Sequence, residues 1–420
     1  MLNIAILGFG NIGSGVADVF IENGSVISKK IGDTVNIKYI LDKIEIKNHP
    51  FSDRQAKDFE TILNDPDIDL IVETMGGSDF AYKCTKAALE KGINVVTPNK
   101  ELVAKYGAEL LKIAAEKDVR YFFEASVGGG IPIIRPIYNC LAANKINKIA
   151  AILNGTTNFI LTKMSVEKWD FETALKTAQE LGYAESDPTD DVEGKDACRK
   201  ICILSSLAFG RQLPPEKVHT EGISRVTLED IKNAEKLGFK IKLIAKSQIN
   251  HINQEDLDSD SLSVMVAPML VPRTSPLYNI DDVFNGILVN GNAVGDVMFY
   301  GRGAGKLPTA SAIAADIIDA LLKKTENMMW DISDGNYVSD YKNQSSGYYI
   351  HVGFNQDVIS RNSVFDLISE LLPQADTYKS LTNNQEMFFT TDIILEKELD
   401  KKIKSLSDSG VNILSKIRIL

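Results

Sequence analysis

Cysteine is scarce in this chain of 420 residues, with four in all. Cys84 and Cys140 stand alone, while Cys198 and Cys202 sit at helical spacing. These positions form no disulfide framework, and no neighbouring Cys or His completes a metal site. The thiols are expected to be reduced, which places the protein in the cytoplasm. Long apolar runs are also missing, so no membrane span is expected. The N-terminal MLNIAILGFGNIGSGV is apolar but lacks the basic flank of a signal peptide. Cationic residues are outnumbered, 46 Lys and Arg against 57 Asp and Glu, for a net charge of −11. That balance argues against nucleic acid or an anionic membrane as the main partner and leaves room for a small ligand with a positive group of its own. Histidine is rare: His49, His219, His251 and His351 lie outside every motif described below. A histidine-based hydroxy-acid dehydrogenase is therefore not expected.

What is present is ordinary globular composition, 44% hydrophobic and 25% charged. The length exceeds one core and implies two or three domains. The first part alternates strand and helix. NIAIL (3–7), VNIKYIL (35–41), DLIVET (69–74), INVVTP (93–98) and RYFFEA (120–125) read as strands. Residues 11–21, 79–92 and 101–118 read as helices, with SVISKKIGDT (25–34) a long connection. Such alternation implies βαβ units and a mostly parallel sheet.

GFGNIG follows the first strand, with Gly8, Gly10 and Gly13 as G-x-G-x-x-G and Phe9, Asn11 and Ile12 between them. Gly8 permits a tight turn, Gly10 a close approach by a pyrophosphate, and Gly13 close helix packing. The following helix offers its N-terminal N–H groups to the phosphates. Asp42 ends the second strand, where an acid favours the ribose hydroxyl of NAD and a base the phosphate of NADP. Lys43 follows it, and a surface loop pair is the plain alternative. ETMGG (73–77) with Thr74, PNKEL (98–102) with Lys100, and EASVGGGIP (124–132) end successive strands on the ligand-binding edge of such a sheet. Lys100 is expected in a turn before a helix.

Beyond Pro136 the alternation stops. NKIAAILNGTTNFIL (147–161) combines a strand with a polar turn at Asn154, Gly155, Thr156 and Thr157. Residues 165–183 read as one helix, and 195–210 as another with Ala197, Ile201, Leu204 and Ala208 in an apolar stripe. LSVMVAPMLV (262–271) is a strand. YGRGAGKLPTASAIAADIIDALLKK (300–324) runs from a glycine turn at Gly301, Gly303 and Gly305 into a helix from about Pro308, which could return to the first domain. Between these stands GYAESDPTDDVEGKDACRK (182–200), dense in acids, with Asp196 and Lys200 one helical turn apart. A solvated acidic loop would explain the acids alone.

GFGNIGSGV, VETMGG, TPNKEL, EASVGGGIPII, ILNGTTNFIL, GYAESDPTDDVEGKDACRK and GRGAGKLPTASA occur in this order. Together they resemble homoserine dehydrogenase over about residues 1–325. No kinase-like segment precedes them, so the resemblance is to the monofunctional form. It implies reversible NAD- or NADP-dependent oxidation of L-homoserine to L-aspartate 4-semialdehyde, a step of threonine, methionine and isoleucine biosynthesis. By the same resemblance, Glu185 binds the substrate's amino end, Asp187 and Asp191 shape that pocket, and the backbone of Gly182 and Tyr183 contributes. Asp196 and Lys200 stand at the hydroxyl, with Lys100 approaching from the cofactor side. Either Lys200 takes the proton directly, or it and Asp196 hold a relaying water. Cofactor contacts are expected from Gly8 to Gly13, Asp42, Thr74, Lys100 and Gly305. The family also binds a monovalent cation, sodium or potassium, which implies Glu124 and the carbonyls of Val127, Gly129 and Ile131 as ligands. A glycine-rich junction needing close packing is the plain alternative.

The tail after DGNYVSDYKNQSSG (334–347) reads βαββαβ and resembles an ACT domain. FNQDVISRN (354–362) lacks that domain's usual glycine-bearing turn, so a structural or dimerising tail stands beside a regulatory one. The expected fold is α/β. A Rossmann-type dinucleotide-binding domain spans 1–135, completed by a helix at about 305–324. An α+β substrate and dimerisation domain spans 136–304, and a small ACT-like domain 345–420. A homodimer or homotetramer is expected. Two other readings remain: a related dehydrogenase of another small amino acid, and a non-catalytic dinucleotide-responsive binding protein.

Overall fold

A computed structural model describes residues 1–250, 261–323, 325–380 and 383–420. His251, the end of the expected helix at Lys324 and the end of the tail segment at Leu381 lie outside the described residues. The described chain divides into two compact units, one of 1–147, 199–217 and 289–336, the other of 148–198, 218–288 and 337–420.

The first unit is built on β1 (Leu2–Leu7), β2 (Val35–Leu41), β3 (Leu70–Glu73), β4 (Asn94–Val96) and β5 (Tyr121–Phe122). All pair in parallel, in the order β2-β1-β3-β4-β5. Strands covered on both faces must be apolar throughout, and Ile4–Leu7 and Leu70–Val72 are fully buried. From β1 the chain adds β2 on one side and then β3 on the other, so the carboxyl ends of β1 and β3 flank the switch-point crevice where ligands of open α/β sheets bind.

The helices are α1 (Asn11–Ile31), α2 (Phe59–Leu63), α3 (Asp79–Glu90) and α4 (Lys100–Glu116). Helix α1 is ten residues longer than its sequence reading of 11–21. Gly24 is tolerated inside it because it faces open space, and the helix stops at Gly32, whose φ of 82° caps it. Most of the expected connection 25–34 is thus helical. Lys100 is the first residue of α4, not a turn residue: Asn99 caps the helix by accepting from the Leu102 N–H at 3.1 Å. The strand expected at 120–125 shortens to β5, because Glu124–Ser126 turns into a single 3-10 turn.

The second unit carries β6 (Ile146–Ile152), α5 (Gly155–Val166), α6 (Phe171–Glu180), α7 (Thr189–Val192), the first turn of α8 (Lys195–Phe209), β7 (His219–Thr220), α9 (Leu228–Lys236), β8 (Phe239–Asn250) and β9 (Ser261–Pro272). Two expectations change here. The polar residues Asn154–Thr157 start a helix instead of forming a free turn, since the Asn154 side chain caps α5. Residues 165–183 form two helices, because Lys168 adopts a φ of 59° and Asp170 caps a new start.

Later elements are β10 (Phe284–Gly291), β11 (Gly295–Arg302), α10 (Lys306–Leu322), β12 (Ser345–Ser346), β13 (Tyr348–Phe354), α11 (Arg361–Leu371), β14 (Asp376–Lys379), β15 (Glu386–Thr390), β16 (Ile394–Leu395), α12 (Glu396–Asp408) and β17 (Val411–Ile419). Helix α10 starts two residues before Pro308, which the first helical turn accommodates because its N–H is not needed there. The tail strands and helices follow the order βαββαβ, and Ser360 starts α11 as a side-chain cap, without a glycine turn. The sheet of the second unit runs β6-β8-β9-β17-β13-β15-β14, so the tail sheet continues from β9 through β17. Arg418 on β17 is buried between Glu221, 2.8 Å away, and Glu396.

Candidate active site

The nucleotide end of the first unit is shaped by what glycine lacks. A Cβ on Gly13 would lie 2.0 Å from the Gly8 carbonyl oxygen, and one on Gly8 2.8 Å from that of Thr74. Gly8 also has a φ of 88°, which glycine alone adopts without strain. A Cβ on Gly10 would touch nothing within 4 Å, so the loop presents bare backbone to open space there. Thr74 closes the loop from β3, its hydroxyl donating to the carbonyls of Leu7 at 3.0 Å and Gly8 at 2.7 Å. Asp42 closes it from β2, accepting the Phe9 N–H at 2.5 Å and the Ile44 N–H at 2.9 Å. Asn11 and Ile12 lie in the first turn of α1. Gly305 caps α10, and Lys306 binds Asp18 of α1 at 2.6 Å. The start of α10 is thus held against α1. The open cradle, the helix N-terminus and the strand-end acid suit a nicotinamide dinucleotide.

Sequence reading missed Glu73, the acid at the end of an otherwise apolar strand. It is fully buried, accepting the Met75 N–H at 2.7 Å and the Thr97 hydroxyl at 2.6 Å. Burial pushes its carboxyl up to about 7 against these hydrogen bonds. Thr97 in turn accepts the Asn99 N–H at 2.9 Å, and Asn99 reaches the Gly77 carbonyl at 2.8 Å. The loops after β3 and β4 are thus one bonded unit, and it launches α4 at Lys100. Beside Lys100, Glu101 pairs with Arg199 of α8 at 3.7 Å. Lys200 therefore follows a residue that touches the first turn of α4.

The acidic stretch is not a uniform solvated loop. Asp196 and Lys200 are buried, on one face of α8, and Asp191 is half-buried. Asn154, which sequence reading placed only in a polar turn, donates to Asp191 at 2.7 Å and to Asp196 at 2.9 Å. Gly182, Tyr183, Glu185 and Asp187 are exposed. The Tyr183 carbonyl accepts the Thr156 hydroxyl at 2.7 Å, which ties their loop to the start of α5. Asp187 accepts the Thr189 N–H and hydroxyl, and that hydroxyl holds its carboxyl below the usual range.

At the third strand-end loop, Glu124 is buried. One of its carboxylate oxygens accepts the N–H groups of Ile133 and Ile134, and the other the N–H and Nε–H of Arg135. Four donors fill the accepting positions of one carboxylate. Gly128 and Gly129 have φ values of 72° and 55° and bend the following segment. Gly129 approaches Gly303 so closely that a Cβ would lie 2.5 Å from its carbonyl oxygen.

Comparison with known proteins agrees with this arrangement. The profile described as "Homoserine dehydrogenase, NAD binding domain" matches residues 8–124, and that described as "Homoserine dehydrogenase" matches 132–318. A homoserine dehydrogenase of Neisseria gonorrhoeae is 42% identical over 320 residues, covering 76% of this chain and 72% of its own. The crystal structure of one from Thiobacillus denitrificans superposes with a TM-score of 0.87 at 32% identity, covering 100% of this chain and 98% of that one. A hyperthermophilic archaeal homoserine dehydrogenase in complex with NADPH superposes with a TM-score of 0.64 at 28% identity, covering 77% and 99%. The chain belongs to the homoserine dehydrogenase family, oxidoreductases that act on a CH–OH group with a nicotinamide cofactor.

Proposed function

We propose that this chain oxidises L-homoserine reversibly to L-aspartate 4-semialdehyde on the Asp196–Lys200 face of α8. The observation that carries this reading is the burial of both side chains on a helix whose Arg199 touches the first turn of α4. An exposed Asp–Lys pair would be worth only tenths of a kcal/mol and would not require burial.

The substrate is a zwitterion with an alcohol on a short arm. Its ammonium needs carboxylates, which Glu185, Asp187 and Asp191 supply from one segment. Gly182 and Tyr183 bring the backbone of the same loop to the substrate. Bound nicotinamide supplies the acceptor for the hydride. The alcohol proton leaves through the Asp196–Lys200 pair, as general acid–base chemistry requires a group within hydrogen-bond reach. Lys100, at the start of α4, approaches the same alcohol from the nucleotide side. Asp42 reads the ribose of NAD through its remaining acceptor positions, which favours NAD over NADP.

A sodium or potassium ion fits the bend after Glu124. Because four donors occupy the Glu124 carboxylate, this residue's ligand is its main-chain carbonyl, alongside those of Val127, Gly129 and Ile131. The tail acts as an ACT-like module, and its element order supports that reading. The outward Met298 and Tyr300 of β11 suit pairing with a second copy, as a homodimer or homotetramer. A cytoplasmic location fits a biosynthetic enzyme with free cysteines.

The test is Lys200→Ala, assayed for homoserine-dependent reduction of NAD and of NADP. Turnover should be largely lost while cofactor binding, read by nicotinamide fluorescence, persists. Normal turnover in a folded variant would end the proposal.

A further inference from the structure

Asn154 makes four hydrogen bonds with one side chain. Its Nδ2 donates to Asp191 Oδ1 at 2.7 Å and to Asp196 Oδ2 at 2.9 Å. Its Oδ1 accepts from the Thr157 N–H at 2.8 Å and the Thr157 hydroxyl at 2.9 Å. The residue is buried. Turning the amide over would set its oxygen against two carboxylate oxygens and its NH2 group against a backbone donor. The orientation is therefore unique.

The arrangement joins three elements that sequence separates. Asp191 lies on α7, Asp196 on α8, and Asn154 caps α5. Two carboxylates brought to one amide nitrogen repel one another. A donor shared between them offsets that repulsion and holds the two carboxylates side by side. A helix cap needs only an accepting oxygen, which serine or aspartate supplies equally well. The NH2 group of Asn154 thus has a task that capping does not explain.

We propose that Asn154 is a positioning residue: its amide holds Asp191 and Asp196 together as a paired cradle for the substrate's ammonium and alcohol ends. This rests on the reading of Asp196 given above. Asn154 touches neither substrate nor cofactor in this scheme. It fixes the two acids that do.

Capping predicts parental activity and positioning a loss of it, and that separates them. Asn154→Ser keeps the cap and removes the donor. Asn154→Asp keeps the cap and side-chain shape and adds a third carboxylate. If Asn154 only caps α5, both variants turn over like the parent and Asn154→Ala alone loses stability. If it positions the acids, Asn154→Ser loses about tenfold to a hundredfold in kcat with homoserine, the scale of a small misplacement of reacting groups. Asn154→Asp then loses more, and the KM for the cofactor stays unchanged in both. Melting curves and cofactor fluorescence establish that the variants are folded. Parental kcat in either folded variant overturns the inference. Asp196→Asn is assayed in parallel. If it turns over normally, the active-site reading has failed; if it is inactive while Asn154→Ser and Asn154→Asp are normal, only the role of Asn154 has failed.

Discussion

The side-chain oxygen of Gln212 accepts the backbone N–H of Ala108 at 3.0 Å, in the place where a regular α4 would present the Ala104 carbonyl. That carbonyl is taken instead by the Gln212 amide, at 2.7 Å. A side chain has entered the ladder of the helix that begins at Lys100, and such insertions bend helices. Trp330 completes the wedge. Its indole N–H donates to the same Gln212 oxygen at 3.2 Å, and its ring fills the space a Cβ on Gly107 would need.

Gln212→Met keeps the volume and removes every one of these bonds. Ala108 and Trp330 then lose their acceptor, unless α4 closes its own ladder. The expected cost is about 2 kcal/mol, typical of a buried polar group left without a partner. Urea unfolding measures it. The emission of Trp330 should shift as well, because the ring loses its hydrogen bond.

Glu73 makes stability depend on pH in a direction unusual for a carboxylate. Its carboxyl stands at about 7 in the fold against an ordinary 4.5. Below 4.5 both folded and unfolded chains hold the proton and no cost arises. Between 4.5 and about 7 the unfolded chain ionises first, so stability falls as pH rises, by roughly 3 kcal/mol in total. Above that the cost is constant. Glu73→Gln should therefore gain on the parent chain between about pH 5 and about pH 8 in urea unfolding. A difference that does not change with pH would refute the burial argument.

His351 works in the opposite sense. It is buried between Asp230, 3.3 Å away, and Glu386, at 3.1 Å. Tyr349 and Ser415 also donate to Asp230. Burial acts against the charged imidazole, but the two acids outweigh it and hold the group above its ordinary 6.5. The stability this supplies is fully present below 6.5 and is lost as pH rises through the higher folded value. Asp230 also caps α9 through Thr227, so the tail strands β13 and β17 are bonded to that helix. His351→Gln should flatten the alkaline loss of stability, and titration of the His351 ring by NMR gives its folded value directly.

Much of the framework was legible because it is local. The glycines after β1 stand at fixed offsets from a buried strand, and their reasons are steric. Helix α8 was legible from its apolar stripe, and the tail from its alternating patterns. Where local reading failed, a single residue overrode the pattern. Gly24 did not end α1 because nothing crowds it, and Asp170 split a continuous helical pattern by capping a second start.

The candidate site was legible as a set of residue types but not as an arrangement. The chain alone determined that acids, lysines and a glycine cradle lie at strand ends and on one face of α8, because spacing along a strand or helix dictates those faces. Only the tertiary structure decided which partners each acid meets. Glu124 is filled by the amides of 133–135, Asp187 by its own turn, and Glu73 by burial, whereas Asn154 gathers Asp191 and Asp196. Asn154 meets Asp191 across 37 residues, and Gln212 meets Ala108 across 104. Hydrogen bonds over such separations leave no period in the sequence. They arise when packing removes water from polar groups, which must then find partners in whatever the fold has brought near.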